Sequence, residues 1–182
     1  MARASRAKTG TFFLRQYIDM NGTTFAQASL DISSFVNPLQ GEVLKIKQSW
    51  TDWTSDDAKP ISGTDIAASG AVAGASAGGQ VTTASRTGLL NITNNDLVTK
   101  NNIYAHIDAT ANIDMLEQVE GLNPIDFDDG YMVATDTLYF GIDSSDVDTW
   151  ANNIRYSVML ECEVVKLSLS DAQAVLVSQT QA

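Results

Sequence analysis

Residues 103–115 read IYAHIDATANIDM. Ile103, Ala105, Ile107, Ala109, Ala111, Ile113 and Met115 fall on one side of this run. Tyr104, His106, Asp108, Thr110, Asn112 and Asp114 fall on the other. Successive side chains of an extended chain point to opposite faces, so this alternation specifies a strand with one face in a core and one in water. Residues 154–166 repeat the pattern: Ile154, Tyr156, Val158, Leu160, Cys162 and Val164 alternate with Arg155, Ser157, Met159, Glu161 and Glu163. Both runs exceed the usual strand length of about 5–6 residues, so each is expected to bend or to serve two sheets.

Working outward, five further segments read as strands. Thr11–Asp19 is aromatic and β-branched around Phe12, Phe13, Tyr17 and Ile18. Ala26–Val36 places Leu30 and Ile32 opposite Gln27 and Asp31. Glu42–Trp53 places Leu44, Ile46, Gln48 and Trp50 opposite Lys45, Lys47 and Ser49. Val81–Thr93 carries Leu89, Leu90 and Ile92, and Tyr131–Ile142 carries Val133, Tyr139 and Phe140. Turn chemistry separates them at Asn21-Gly22, Asn37-Pro38, Asn94-Asn95-Asp96, Asp128-Asp129-Gly130 and Asp143-Ser144-Ser145. About eight antiparallel strands with no long helix predict an all-β fold, a β-sandwich or single jelly roll. The expected core is Leu30, Ile32, Leu44, Ile46, Ile103, Ile107, Ile113, Val158 and Leu160. A short C-terminal helix is expected over Ala172–Ser178, capped by Ser168 or Ser170 with Asp171 in its first turn. A second helical turn is placed at Met115–Glu120.

Ile66–Ser85 is uncharged over 20 residues, the length of a membrane span. Its large aliphatics are only Ile66, Val72 and Val81, too few to insert. With the rest of Thr54–Gly79 it reads as a long surface loop. No apolar run of 7–15 residues follows the basic start, so no secretory signal is expected.

The chain has 182 residues and a net charge of −11, unevenly distributed. Arg3, Arg6, Lys8 and Arg15 all precede the first acid, Asp19. A flexible basic arm over residues 1–10 is therefore expected ahead of an acidic domain over 11–182. Its cations would meet an anionic surface, either nucleic acid or lipid headgroups.

Catalytic chemistry finds little support. The one histidine, His106, sits on the polar face of a strand, and the one cysteine, Cys162, on an apolar face, where thiols are inert. Gly74-Ala75-Ser76-Ala77-Gly78 matches a nucleophile-elbow pattern but lacks the strand-to-helix context that the elbow needs. Asp126, Asp128 and Asp129 before Gly130 make a Ca²⁺ candidate. They are one residue short of the D-x-D-x-D-G loop, and Thr137 stands where that loop has its bidentate glutamate. No metal and no cofactor are expected. Trp50, Trp53 and Trp150 could stack on sugars, but Trp50 falls on an apolar strand face, where packing in the core or at an interface is expected.

A short basic arm (Met1–Lys8), seven or eight strands, a small-residue loop (Ile61–Gln80) and no catalytic apparatus together resemble a single jelly-roll major capsid protein of a tailless icosahedral virus. The layout is most similar to the internal-membrane type. The resemblance implies a non-enzymatic subunit of the virion that forms capsomers with copies of itself. It also implies an arm facing membrane or genome and room for a second coat protein. The acidic body sets it apart from strongly basic coats that pack nucleic acid directly. Two other readings stay open. One is a secreted or surface β-sandwich, such as a filament subunit, adhesin or carbohydrate-binding module; the other is a hydrolase on a β scaffold.

Overall fold

Ile154–Lys166 is extended over the whole of its alternating run, and the other strands arrange themselves around it. The computed structural model describes residues 6–20, 24–66, 73–108, 110, 112–144 and 150–180. The strands are β1 (Arg6–Ala7), β2 (Phe12–Asp19), β3 (Ala26–Asp31), β4 (Glu42–Ser55), β5 (Ala73–Thr82), β6 (Leu97–Ile107), β7 (Ile113–Leu122), β8 (Tyr131–Val133), β9 (Thr137–Ser144) and β10 (Ile154–Lys166). One helix follows, α1 (Leu169–Thr180).

The pairing is that of a jelly roll. The chain folds back on itself as a long hairpin in which β2 pairs with β10, β3 with β9, β4 with β8 and β5 with β6, all antiparallel. Rolling that hairpin gives two facing sheets. One has the order β2–β10–β4–β8, with β1 continuing β2 along the same edge of β10. The other has the order β3–β9–β5–β6–β7. The apolar faces meet between them, with Ile32, Leu44, Ile46, Ile107, Leu138, Phe140, Ile142, Ile154 and Leu160 fully shielded. Of the expected core, Leu30 and Ile113 are half-buried against this cluster, and the other expected residues lie inside it.

Several boundaries depart from the sequence reading. The Ile103–Met115 run is two strands, β6 and β7, because Asp108 accepts hydrogen bonds from the amides of Thr110 and Asn112 and turns the chain. Ile113 stays on the core side opposite Ile107, but Asp114 is an extra, bulged residue, so Met115 pairs with His106 on the outer face and is exposed. Met115–Glu120 is part of β7, not a helical turn. The loop expected through Gly79 ends earlier, since Ala73–Thr82 is the central strand β5, paired on both sides. Val81–Thr93 is a strand only to Thr82. The segment after it crosses the outer surface, with Leu89 over Gly78 and the amide of Leu90 bonded to Gln80. The Tyr131–Ile142 run breaks into β8 and β9.

Small residues in β5 make room for large ones opposite. Tyr156, from the other sheet, lies directly on Gly79, where a Cβ would meet the ring at 2.6 Å. Its ring also tilts onto Trp53 at 4.7 Å. The indole of Trp53 donates to Asn101 Oδ1 at 2.7 Å. The Tyr156 hydroxyl is buried with no partner among the described residues, and burial raises its pKa. An unsatisfied buried hydroxyl costs roughly 1–3 kcal/mol. Tyr156→Phe is therefore expected to melt no lower than the parent, and up to about 2–4 °C higher for each kcal/mol recovered. A lower melting temperature in a calorimetric scan would mean that the hydroxyl is bonded after all.

Side-chain amides occupy backbone groups that the sheet edges leave open. Beyond β8, the free edge of β4 is met by Asn123, which accepts from the Ser49 amide at 3.1 Å and donates to its carbonyl at 3.0 Å. On β8, Gln179 of α1 accepts from the Ala134 amide at 2.9 Å and donates to the Met132 carbonyl at 2.6 Å. The helix starts where expected, with Ser168 Oγ accepting from the Asp171 amide. It packs Ala172 against Val43, Ala134 and Val165. No helix among the described residues is long and apolar enough to cross a membrane.

Candidate subunit interface

Strand β10 runs through the middle of the first sheet, and its outward side chains form cross-strand rows with β2 and β4. Tyr17, Ser157 and Asp52 make one row; Arg15, Met159 and Trp50 make the next. Ser157 is too short to fill its row, so the taller neighbours wall a groove of about 500 Å³. The groove is largely apolar although it faces solvent. Phe13 extends it, with its ring 6.2 Å from that of Trp50. Arg155 stacks over Tyr17 at 4.2 Å and is held there by Asp19, whose carboxylate accepts from its Nε at 2.6 Å. Arg15, on the groove wall, has no carboxylate within ion-pair distance among the described residues, unlike Lys45 and Lys47 nearby.

Trp50 belongs to this outer face, whereas the alternation read from sequence put it on the same face as Leu44 and Ile46. A bulge is the cause. Cys162 pairs with Ile46 but Glu161 pairs with Gln48, so one extra residue of β4 enters the ladder and reverses its in–out parity. Beyond the bulge Ser49 and Trp53 point inward, and Trp50 is left 39% exposed.

The second unusual surface is β7, at the edge of the other sheet. Residues 114–121 are all exposed, so the strand stands clear of the sandwich on both faces. Met115 and Val119 lie on the face shared with Tyr104, and Leu116 lies on the opposite one. Leu116 is 50% exposed and Met115 45% exposed. Gln118 ties the strand to β4 by donating to Thr51 Oγ1 at 2.9 Å, and Asn123 donates to Glu120. The polar cleft between them, which Trp50 also lines, thus spends the Gln118 and Asn123 amides on internal bonds.

The residues singled out from sequence fall in separate places. Arg3 lies outside the described residues. Arg6 sits in β1, paired with Lys166 through the backbone, and Lys8 forms an ion pair with Glu42. Arg15 lies further along the same sheet edge, in the groove. Asp126 accepts from the Asn123 amide at 2.9 Å, and Asp129 pairs with Lys45 at 2.5 Å, while Asp128 is exposed. Among the described residues no group of three or more His, Cys, Asp or Glu side chains is placed to hold a metal. His106 Nδ1 is 2.7 Å from Asp114 Oδ1 across β6 and β7, a pair that sequence reasoning missed. Ser76 lies two residues along β5 from Gly74, the register partner of His106, within a strand and not at an elbow. Burial pushes the Cys162 thiol up to about 12, which leaves it protonated and unreactive at neutral pH.

No family model matches the chain, and no curated protein matches it. Solved structures do. VP1 of Trichodysplasia spinulosa-associated polyomavirus, in complex with GM1 oligosaccharide, matches with a TM-score of 0.51 at 7% identity. The match covers 89% of this chain and 97% of that one. A mutant VP1 of Washington University polyomavirus, an unassembled pentamer, matches with a TM-score of 0.50 at 7% identity, covering 92% and 100%. These neighbours are viral jelly-roll capsid proteins, and at this identity the likeness is one of fold.

Proposed function

We propose that this chain is a coat subunit of an icosahedral virus, a non-enzymatic protein that assembles with copies of itself into capsomers of the virion shell. The observation that carries the reading is the pairing of a jelly roll with surfaces that a lone subunit leaves unfinished. A ten-residue edge strand with apolar side chains exposed on both faces is a liability in an isolated sandwich. It becomes useful once a neighbour covers it. The aromatic groove on the opposite sheet is a second such surface. Sedimentation velocity of the purified chain over a range of concentration and salt tests the reading. Discrete oligomers that grow with concentration are expected, and a monomer under every condition would overturn it.

The internal-membrane type of capsid and the role of the arm belong to the same proposal. Arg3, Arg6 and Lys8 carry a charge opposite to that of the acidic body, which suits contact with an anionic lipid layer or the genome, with a second coat protein sharing the shell. Each cation near an anionic membrane adds about 1 kcal/mol, so the contact becomes useful only when many copies act together. Deleting residues 1–8 is expected to remove the short β1 pairing and little else of the fold. The truncated chain should melt within a few degrees of the parent yet lose co-sedimentation with anionic liposomes at low salt. Equal sedimentation of both proteins would rule out the arm as the membrane contact.

A further inference from the structure

Two unspent charges and two uncovered apolar surfaces fit one another. Strand β7 carries three acids and no cation. Asp114 is bonded to His106 and Glu120 to Asn123, whereas Glu117 has no partner among the described residues. Glu117 projects between Met115 and Val119, on the face that Tyr104 shares. On the other sheet Arg15, also without a carboxylate partner, stands beside Met159, Tyr17 and Trp50.

Resting on the self-assembly reading above, we propose that the β6–β7 edge of a second copy seats on the outer face of the first sheet, with the second copy's Glu117 against Arg15. Met115 and Val119 of that copy then cover the groove between Tyr17 and Trp50. Asp52 on the far wall fixes the orientation, because an acidic strand can enter only with its free carboxylate toward Arg15. Pairing β7 with another β7 is disfavoured, since Asp114, Glu117 and Glu120 would be brought against one another with no cation on the strand to offset them. The two surfaces differ, so the contact is head-to-tail, and it builds a ring where its rotation closes.

Arg15→Glu and Glu117→Arg, made separately and together in the full chain, test this. All the replaced groups are exposed, so circular-dichroism melting should match the parent in each variant. Bringing like charges together at an interface costs enough to weaken association by about tenfold or more. Each single variant is expected to shift the sedimentation profile toward monomer by that factor, and the double variant to recover. If all three variants associate as the parent does, the interface lies elsewhere and the inference falls while the coat reading stands. If both singles weaken and the double does not recover, the Arg15–Glu117 pairing is wrong. If the parent itself stays monomeric, the coat reading and the inference fall together.

Discussion

Ile107→Asp is expected to leave the protein insoluble or unfolded. Ile107 is fully buried at the end of β6, where it pairs with Ala73 on one side and Ile113 on the other. The acids that surround the sandwich offer no partner inside it. An unpaired carboxylate there must either stay neutral or be desolvated, at several kcal/mol. Net stabilities of domains are only about 5–15 kcal/mol, and loss of the isoleucine packing adds roughly 2–5 kcal/mol more. Soluble yield and a thermal scan decide the matter. A variant that melts like the parent would take Ile107 out of the core and with it the two-sheet register.

Gly79→Leu is the second substitution with a large expected effect, and it tests the contact between the sheets. The side chain would project into the Tyr156 ring, since even a Cβ lies 2.6 Å from three of its atoms. Tyr156 cannot swing away, because Trp53 packs on it and it is wholly buried. Overpacking by a methylene or two costs about 1–3 kcal/mol, so four carbons should prevent native packing altogether. Gly79→Ala is the graded version and should lower the melting temperature by several degrees. Combining it with Tyr156→Leu should recover part of that loss, since neighbouring substitutions that share one space are not additive. If Gly79→Ala costs nothing, β5 does not lie against β10 as described.

How much of this was readable from sequence depended on how the two faces of each strand are used. β10 was legible because one face meets the core and the other is half-exposed from Ile154 to Val164, before Val165 is covered by α1. β5 was not. Tyr156 presses on Gly79 from inside, Leu89 covers Gly78 from outside, and the Trp150 indole donates to the Ser76 carbonyl. A strand enclosed on both faces by large neighbours must be small on both, so it shows no alternation and looks like a loop. β7 failed for the opposite reason. Exposed on both faces, it has no buried side to impose a period, and Met115, Leu116 and Val119 mimic helical spacing. Trp50 was misplaced by one bulged residue, an event that leaves no mark in composition.

The candidate interface was legible only in part. Arg15 stood out as a cation, but the charge count grouped it with the arm, and sequence does not reveal strand register. Only the pairing of β2, β10 and β4 puts Arg15 beside Met159 and Trp50. The same holds for Glu117, one of many acids until the partners of Asp114 and Glu120 are known. The apolar groove draws its residues from positions about 15, 50 and 158, which only the jelly-roll pairing brings together.

The central claim is that this jelly roll is built to be one copy among many. Electron cryomicroscopy of the purified full-length chain tests it most directly. The account predicts rings or closed shells into which the two-sheet subunit fits as a repeated unit, with the β7 edge and the Tyr17–Trp50 face turned toward neighbours. Single, unassociated subunits at every concentration and salt, from a preparation shown to be folded, would contradict it.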